Sequence, residues 1–109
     1  MTGIFVEQDL FGGQGEVRVE DVLGDDSLGS FTAVLRCELA PGGKVGRHMQ
    51  QECPEVVIGL SGEGVARVDD ATLPLVAGSI VRLPLGATLA IDNRSDIEPL
   101  RYMIIKARP

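Results

Sequence analysis

The sequence predicts an all-β fold with antiparallel pairing, closed into a double-sheet jelly-roll barrel. Three observations predict it. No long segment shows the apolar period of about 3.6 residues that marks an amphipathic helix. Short apolar stretches recur at intervals of about ten residues, as in sandwiches and barrels. Fourteen glycines and six prolines punctuate the 109 residues and supply the turns. Short connections favour antiparallel neighbours, and closing the sheets protects their edges.

The elements follow in order. Residues 5–6 and 16–22 read as N-terminal strands parted by a Gly12-Gly13-Gln14-Gly15 turn. Residues 31–40 form a strong strand, in which Phe31, Ala33, Leu35, Cys37 and Leu39 alternate with Thr32, Val34, Arg36, Glu38 and Ala40. Pro41-Gly42-Gly43 ends it. A second strong strand, 55–60, is bounded by Pro54 and a Gly62-Glu63-Gly64 turn. Residues 65–68 follow and turn at Asp69-Asp70. Segments 73–76, 79–83, 88–92 and 100–106 complete the set. There is no internal repeat and no low-complexity tail.

Two spaced motifs overlie these strands. The first reads Gly42-x5-His48-x-Gln50-x4-Glu55-x6-Gly62, the second Gly78-x5-Pro84-x-Gly86-x2-Leu89-x3-Asn93. The pair resembles the motifs of the cupin family, with Gly42, Gly62, Gly78, Pro84, Gly86 and Asn93 all in register. The resemblance implies a double-stranded β-helix, a small barrel with both motifs lining one mouth. It divides the chain into an N-terminal strand segment, 1–25, and one cupin barrel domain, 26–109. The segment is expected to add an edge strand to its own sheet or to a partner's across a dimer interface.

The resemblance also shows what has changed. A typical cupin carries His where Gln50 and Leu89 stand here. Those two imidazoles, with the residues matching His48 and Glu55, usually hold one divalent metal. His48 is the only histidine of this chain, so the usual centre cannot be assembled.

Successive strand residues face opposite sides. His48 and Gln50 therefore share a face, with Met49 turned away. Glu55, Val57 and Gly59 share another, as do Leu89 and Ile91. By resemblance these faces point into the barrel. The expected ligand pocket is His48, Gln50, Glu55, Val57, Gly59, Leu89 and Ile91: few polar groups among apolar walls, the usual recipe for a small-molecule site. His48 is the best catalytic candidate, because imidazole titrates near neutrality. Its alternative is a structural role, bonded to Glu55 or water. Gln50 is an uncharged, weak metal ligand, and Leu89 cannot ligate.

Cys53 is a candidate thiolate ligand, but its place in a loop need not bring it to the cavity. Cys37 reads as a buried apolar residue. Arg36, Arg67, Arg82 and Arg101 lie in strands. One pointing inward would suit a carboxylate or phosphate ligand.

Composition excludes other classes. A net charge of −6 and a pI of about 4.6 make nucleic acid and anionic membranes poor partners. No apolar run spans a bilayer. The N-terminus lacks a secretory pattern, and two cysteines suit a reducing cytoplasm. Neither a phosphate-binding loop followed by Lys nor a nucleophile elbow occurs. Trp is absent, which argues against a carbohydrate-stacking platform.

The expected function is small-molecule binding in the barrel cavity without a tightly held metal or other cofactor, by a cytoplasmic homodimer. Two enzymatic alternatives stand beside it. One is a metal-dependent oxygenase, isomerase or decarboxylase holding Mn, Fe, Ni or Zn at His48, Gln50 and Glu55. The other is a metal-free isomerase or epimerase with His48 as base. A structural dimer with a filled cavity is a third class. Whether any reaction is catalysed is open at this point.

Overall fold

The computed structural model describes residues 3–24 and 28–109. The expected border between residues 25 and 26 lies outside them. Among them ten strands are formed: β1 Gly3–Gln8, β2 Glu16–Asp21, β3 Phe31–Leu39, β4 Lys44–Met49, β5 Glu55–Ser61, β6 Gly64–Val68, β7 Ala71–Leu75, β8 Ile80–Leu83, β9 Thr88–Asn93 and β10 Leu100–Ala107. One 3-10 turn, Leu10–Gly12, interrupts the N-terminal hairpin.

Every pairing between these strands is antiparallel. They make two sheets, a six-stranded one ordered β1-β2-β3-β10-β5-β8 and a four-stranded one ordered β4-β9-β6-β7. The jelly-roll reading therefore holds. The N-terminal hairpin joins its own sheet, with β2 in register against β3 from Val17 opposite Leu39 to Asp21 opposite Leu35. Val17 and Val19 are buried with the core, so this hairpin is continuous with the barrel.

Between the sheets pack Leu39, Leu75, Leu83, Leu89, Leu100 and Tyr102, each at most 2% exposed. Full burial of such side chains stabilises by about 1.5–3 kcal/mol apiece. At one end of the core Asn93 acts as a clamp. Its Nδ2 donates to the carbonyls of Leu39, Ala40 and Glu98, and its Oδ1 accepts from the Ser95 amide. The second motif's terminal Asn thus ties β9 to the end of β3.

Two features of β4 place the site. The first is a bulge. Val45 pairs with Ile91 and His48 with Leu89, so three steps along β4 meet two along β9. The extra residue breaks the alternation and lets Val45 and His48 both face inward. The second is a close approach. A Cβ on Gly46 would lie 1.9 Å from the Phe11 carbonyl oxygen, and one on Gly13 would lie 1.9 Å from that of Lys44. Reciprocal backbone bonds between Gln14 and Lys44, 2.8 and 2.7 Å, fasten the two segments. Residues 9–15 therefore lie directly on β4 as a cover.

Candidate functional site

A cavity of about 780 Å3 opens between the sheets at one end of the barrel. Its size falls in the range of small-molecule sites. From β4 and the loop after it come Val45, His48, Met49 and Gln50. Leu89 and Ile91 come from β9, and Glu55 from the start of β5. The far wall is Tyr102, Ile104 and Lys106 of β10 beside Leu35 and Cys37 of β3. The N-terminal hairpin contributes Phe5, Glu7, Val17 and Val19, and its turn contributes Leu10 and Phe11.

Five of the seven pocket residues expected from the sequence meet here: His48, Gln50, Glu55, Leu89 and Ile91. Val57 and Gly59 do not line the cavity. They share the inward face with Glu55, but the barrel is filled at their level. Val57 is wholly buried, and Gly59 lies against the Val76 carbonyl, where a Cβ would sit at 1.9 Å. Only the first residue of β5 reaches the mouth. Met49, expected to turn away, stands on the rim, because β4 ends there and alternation ends with it. Cys53 also reaches the wall, its Sγ 3.5 Å from Thr32 Oγ1.

No strand arginine enters. Arg36 pairs with Glu20, Arg67 with Asp92 and Arg101 with Glu38, while Arg82 is exposed. The cation of the cavity is Lys106, which sequence reasoning missed. The signal was present: Tyr102, Ile104 and Lys106 alternate along one strand, so a buried Tyr102 brings Lys106 to the same face. Phe11 was missed for a different reason. It reaches His48 through a left-handed backbone, φ 54° and ψ 35°, which no period announces.

His48 is fixed on two sides. Its ring stacks on Phe11 with centroids 3.9 Å apart and planes 17° from parallel. Its Nδ1 lies 2.9 Å from the Gly46 carbonyl oxygen. A carbonyl only accepts, so Nδ1 carries the proton and Nε2 is the free acceptor of the neutral ring. Burial holds the His48 pKa below its ordinary 6.5, against the opposing pull of the Gly46 bond.

Glu55 does not bond His48. Its Oε2 lies 3.9 Å from Lys106 Nζ. Burial raises the Glu55 pKa above 4.5, and the Lys106 charge only partly offsets this. Deeper in the wall, burial pushes the Cys37 thiol up to about 12, so it is no nucleophile at neutral pH. Burial likewise holds the Tyr102 hydroxyl well above its ordinary range.

Gln50 is the anomaly. It is 6% exposed, and its Nε2 finds no hydrogen-bond partner among the described residues. Its backbone is satisfied, through bonds with Ala87 and Gly86. An unsatisfied buried donor costs about 1–3 kcal/mol.

The residues do not fit a divalent metal. Among the described residues no group of three or more His, Cys, Asp and Glu side chains could hold one. Leu89 stands directly across the ladder from His48, where an alkyl group offers nothing to a cation.

The two-sheet antiparallel barrel with an apolar cavity at one mouth is a jelly-roll architecture. The cupin domain profile matches residues 35–106. The chain belongs to the cupin family. It is 30% identical over 97 residues to an oxalate-binding protein of Thermotoga maritima, covering 86% of this chain and 80% of that one. Among solved structures it resembles a predicted oxalate decarboxylase of Thermotoga maritima, with a TM-score of 0.89, 24% identity and coverage of 97% and 92%. It also resembles a cupin 2 conserved barrel domain protein of Salinispora arenicola, with a TM-score of 0.72, 26% identity and coverage of 84% and 75%.

Proposed function

We propose that this chain is a binding module that takes a small organic molecule into the barrel cavity without a metal. The observation that carries the reading is the unpartnered Gln50 amide in the cavity wall. A folded protein keeps such a donor at a cost to stability, and a ligand oxygen would remove that cost once the Gln50 side chain turns its buried Nε2 toward the cavity. The apolar walls supply the remaining affinity through burial. The name of the Thermotoga relative supports a small-molecule ligand for a barrel of this kind; which chemistry this cavity accepts depends on its own walls.

The test is a titration followed by amide and methyl NMR, using a panel of small aromatic and aliphatic compounds that spans negative, neutral and positive charge. At least one compound should shift the Gln50 side-chain amide together with the methyl groups of Leu89 and Ile91. A panel that moves none of them at millimolar concentration would sink the reading.

A second reading rests on the His48 tautomer. With Nδ1–H held by Gly46, Nε2 is a lone-pair base aimed by a fixed partner, the arrangement required for metal-free proton transfer. Deuterium exchange into a bound carbon acid, lost in His48→Gln, would promote it over binding alone.

We also propose that the chain forms a homodimer. The outer face of the six-stranded sheet sets Met103 beside Ile58, Ile105 beside Val56 and Ile58 beside Ile80. Ile80 is 64% exposed. A second copy offering the same face would cover this stripe by a two-fold operation.

A further inference from the structure

We infer that the ligand of this cavity is uncharged, an apolar body carrying a carbonyl-type oxygen, and that small carboxylates are disfavoured. The inference rests on the binding reading above and adds the chemical class.

Charge is the first ground. Three carboxylates line the cavity, those of Glu7, Glu52 and Glu55, against one ammonium, that of Lys106. Among the described residues no arginine lines it, and neither does any second lysine. Lys106 is already answered by Glu55 at 3.9 Å. Protonating Glu55 would still leave two carboxylates facing one cation. An anion entering here would meet net repulsion, strongest at low ionic strength because Glu7 and Glu52 are exposed to solvent. The chain's net charge of −6 opposes its approach as well. No metal can reverse the sign, since the donor set does not fit one.

The second ground is the polar recognition left over. Gln50 Nε2 is a donor without an acceptor. His48 offers a neutral ring with Nδ1 committed to Gly46, which leaves Nε2 as an acceptor. A donor and an acceptor two residues apart in the cavity wall suit a neutral amide, a ketone flanked by a hydroxyl, or a lactam, once Gln50 turns its buried Nε2 toward the cavity. The Phe11 and His48 rings stack beside them.

The test uses one isosteric pair on the full-length protein. Phenylacetamide and phenylacetate share the same apolar body and differ by a charge. Calorimetry or NMR titration at low ionic strength should find the amide bound at least tenfold more tightly. Replacing the two exposed acids together, Glu7→Gln with Glu52→Gln, should narrow that ratio without unfolding the barrel. Phenylacetate or oxalate binding more tightly than phenylacetamide overturns the charge inference while leaving the cavity reading intact. An amide preference that survives unchanged in the double variant overturns its electrostatic basis. Binding of neither, with the wider panel also silent, removes the cavity reading and this inference with it.

Discussion

Phe11 lies flat on His48, with ring centroids 3.9 Å apart. An exposed aromatic in a left-handed turn is an unusual place to find a partner for a barrel histidine. The left-handed conformation costs about 1–2 kcal/mol for an L-residue, and the close backbone contact at Gly46 holds it in place. The stack, together with burial, desolvates the imidazole.

The first prediction follows from that desolvation. His48 is the chain's only histidine, so its ring gives a single set of proton resonances to titrate. Its midpoint should lie below 6.5, and Phe11→Ala should move it upward. The sign for stability is fixed. A histidine with a depressed folded pKa contributes stability that is present above the unfolded value of 6.5 and lost as pH falls through the folded value. Glu55 acts oppositely: its contribution is present below 4.5 and lost as pH rises through its raised folded value. A wild-type midpoint above 6.5 would contradict the stacking argument.

Gln50→Met gives the second. Thioether replaces amide at similar volume, and the unsatisfied donor disappears. The unliganded protein should gain about 1 kcal/mol in denaturant unfolding, while the affinity of any compound that shifts the Gln50 amide should fall about tenfold. A less stable variant would mean that the amide has a structural partner.

Metal content is the third. Purified without an affinity tag or chelator, the wild type should carry well under one equivalent of transition metal by elemental analysis. Gln50→His with Leu89→His should bind zinc at least 100-fold more tightly than wild type, because two ligating imidazoles are restored, and losing even a group that only supports a ligand costs about 10–100-fold. One equivalent of metal in wild type, lost in His48→Ala, would promote the metalloenzyme.

Fourth, Gly46→Ala should destabilise the chain by more than about 2 kcal/mol, since the new methyl meets the Phe11 carbonyl backbone rather than a movable side chain. Where the variant still folds, the His48 midpoint should rise as in Phe11→Ala, because the cover has been displaced. Unchanged stability would show that residues 9–15 do not rest on β4.

Fifth, light scattering at micromolar concentration should report twice the 11.6 kDa chain mass. Ile80→Lys with Met103→Lys should return the monomer mass while leaving the strand signal in circular dichroism unchanged.

Strand identity was legible where the apolar period was two, as in residues 31–40, and where a short apolar run stood between turn residues, as in 55–60. The motif glycines and Asn93 placed the turns, and the resemblance to cupins gathered His48, Gln50, Glu55, Leu89 and Ile91 at one mouth. What periodicity could not show was depth. It puts Glu55, Val57 and Gly59 on one face without saying that the core closes above the second of them. It was equally silent about Phe11, whose contact depends on a backbone conformation with no compositional mark. Lys106 was legible in the alternation of Tyr102, Ile104 and Lys106 along one strand.

The bulge in β4 sets a reading frame for the cavity. Were the extra residue drawn into regular pairing, Arg47 would take the inward place opposite Leu89, and His48 would turn to solvent. A fixed guanidinium would then stand among the same apolar walls, and a cavity that turns anions away would become one that receives them. The chemistry of this barrel is thus held by a count of residues as much as by their identities.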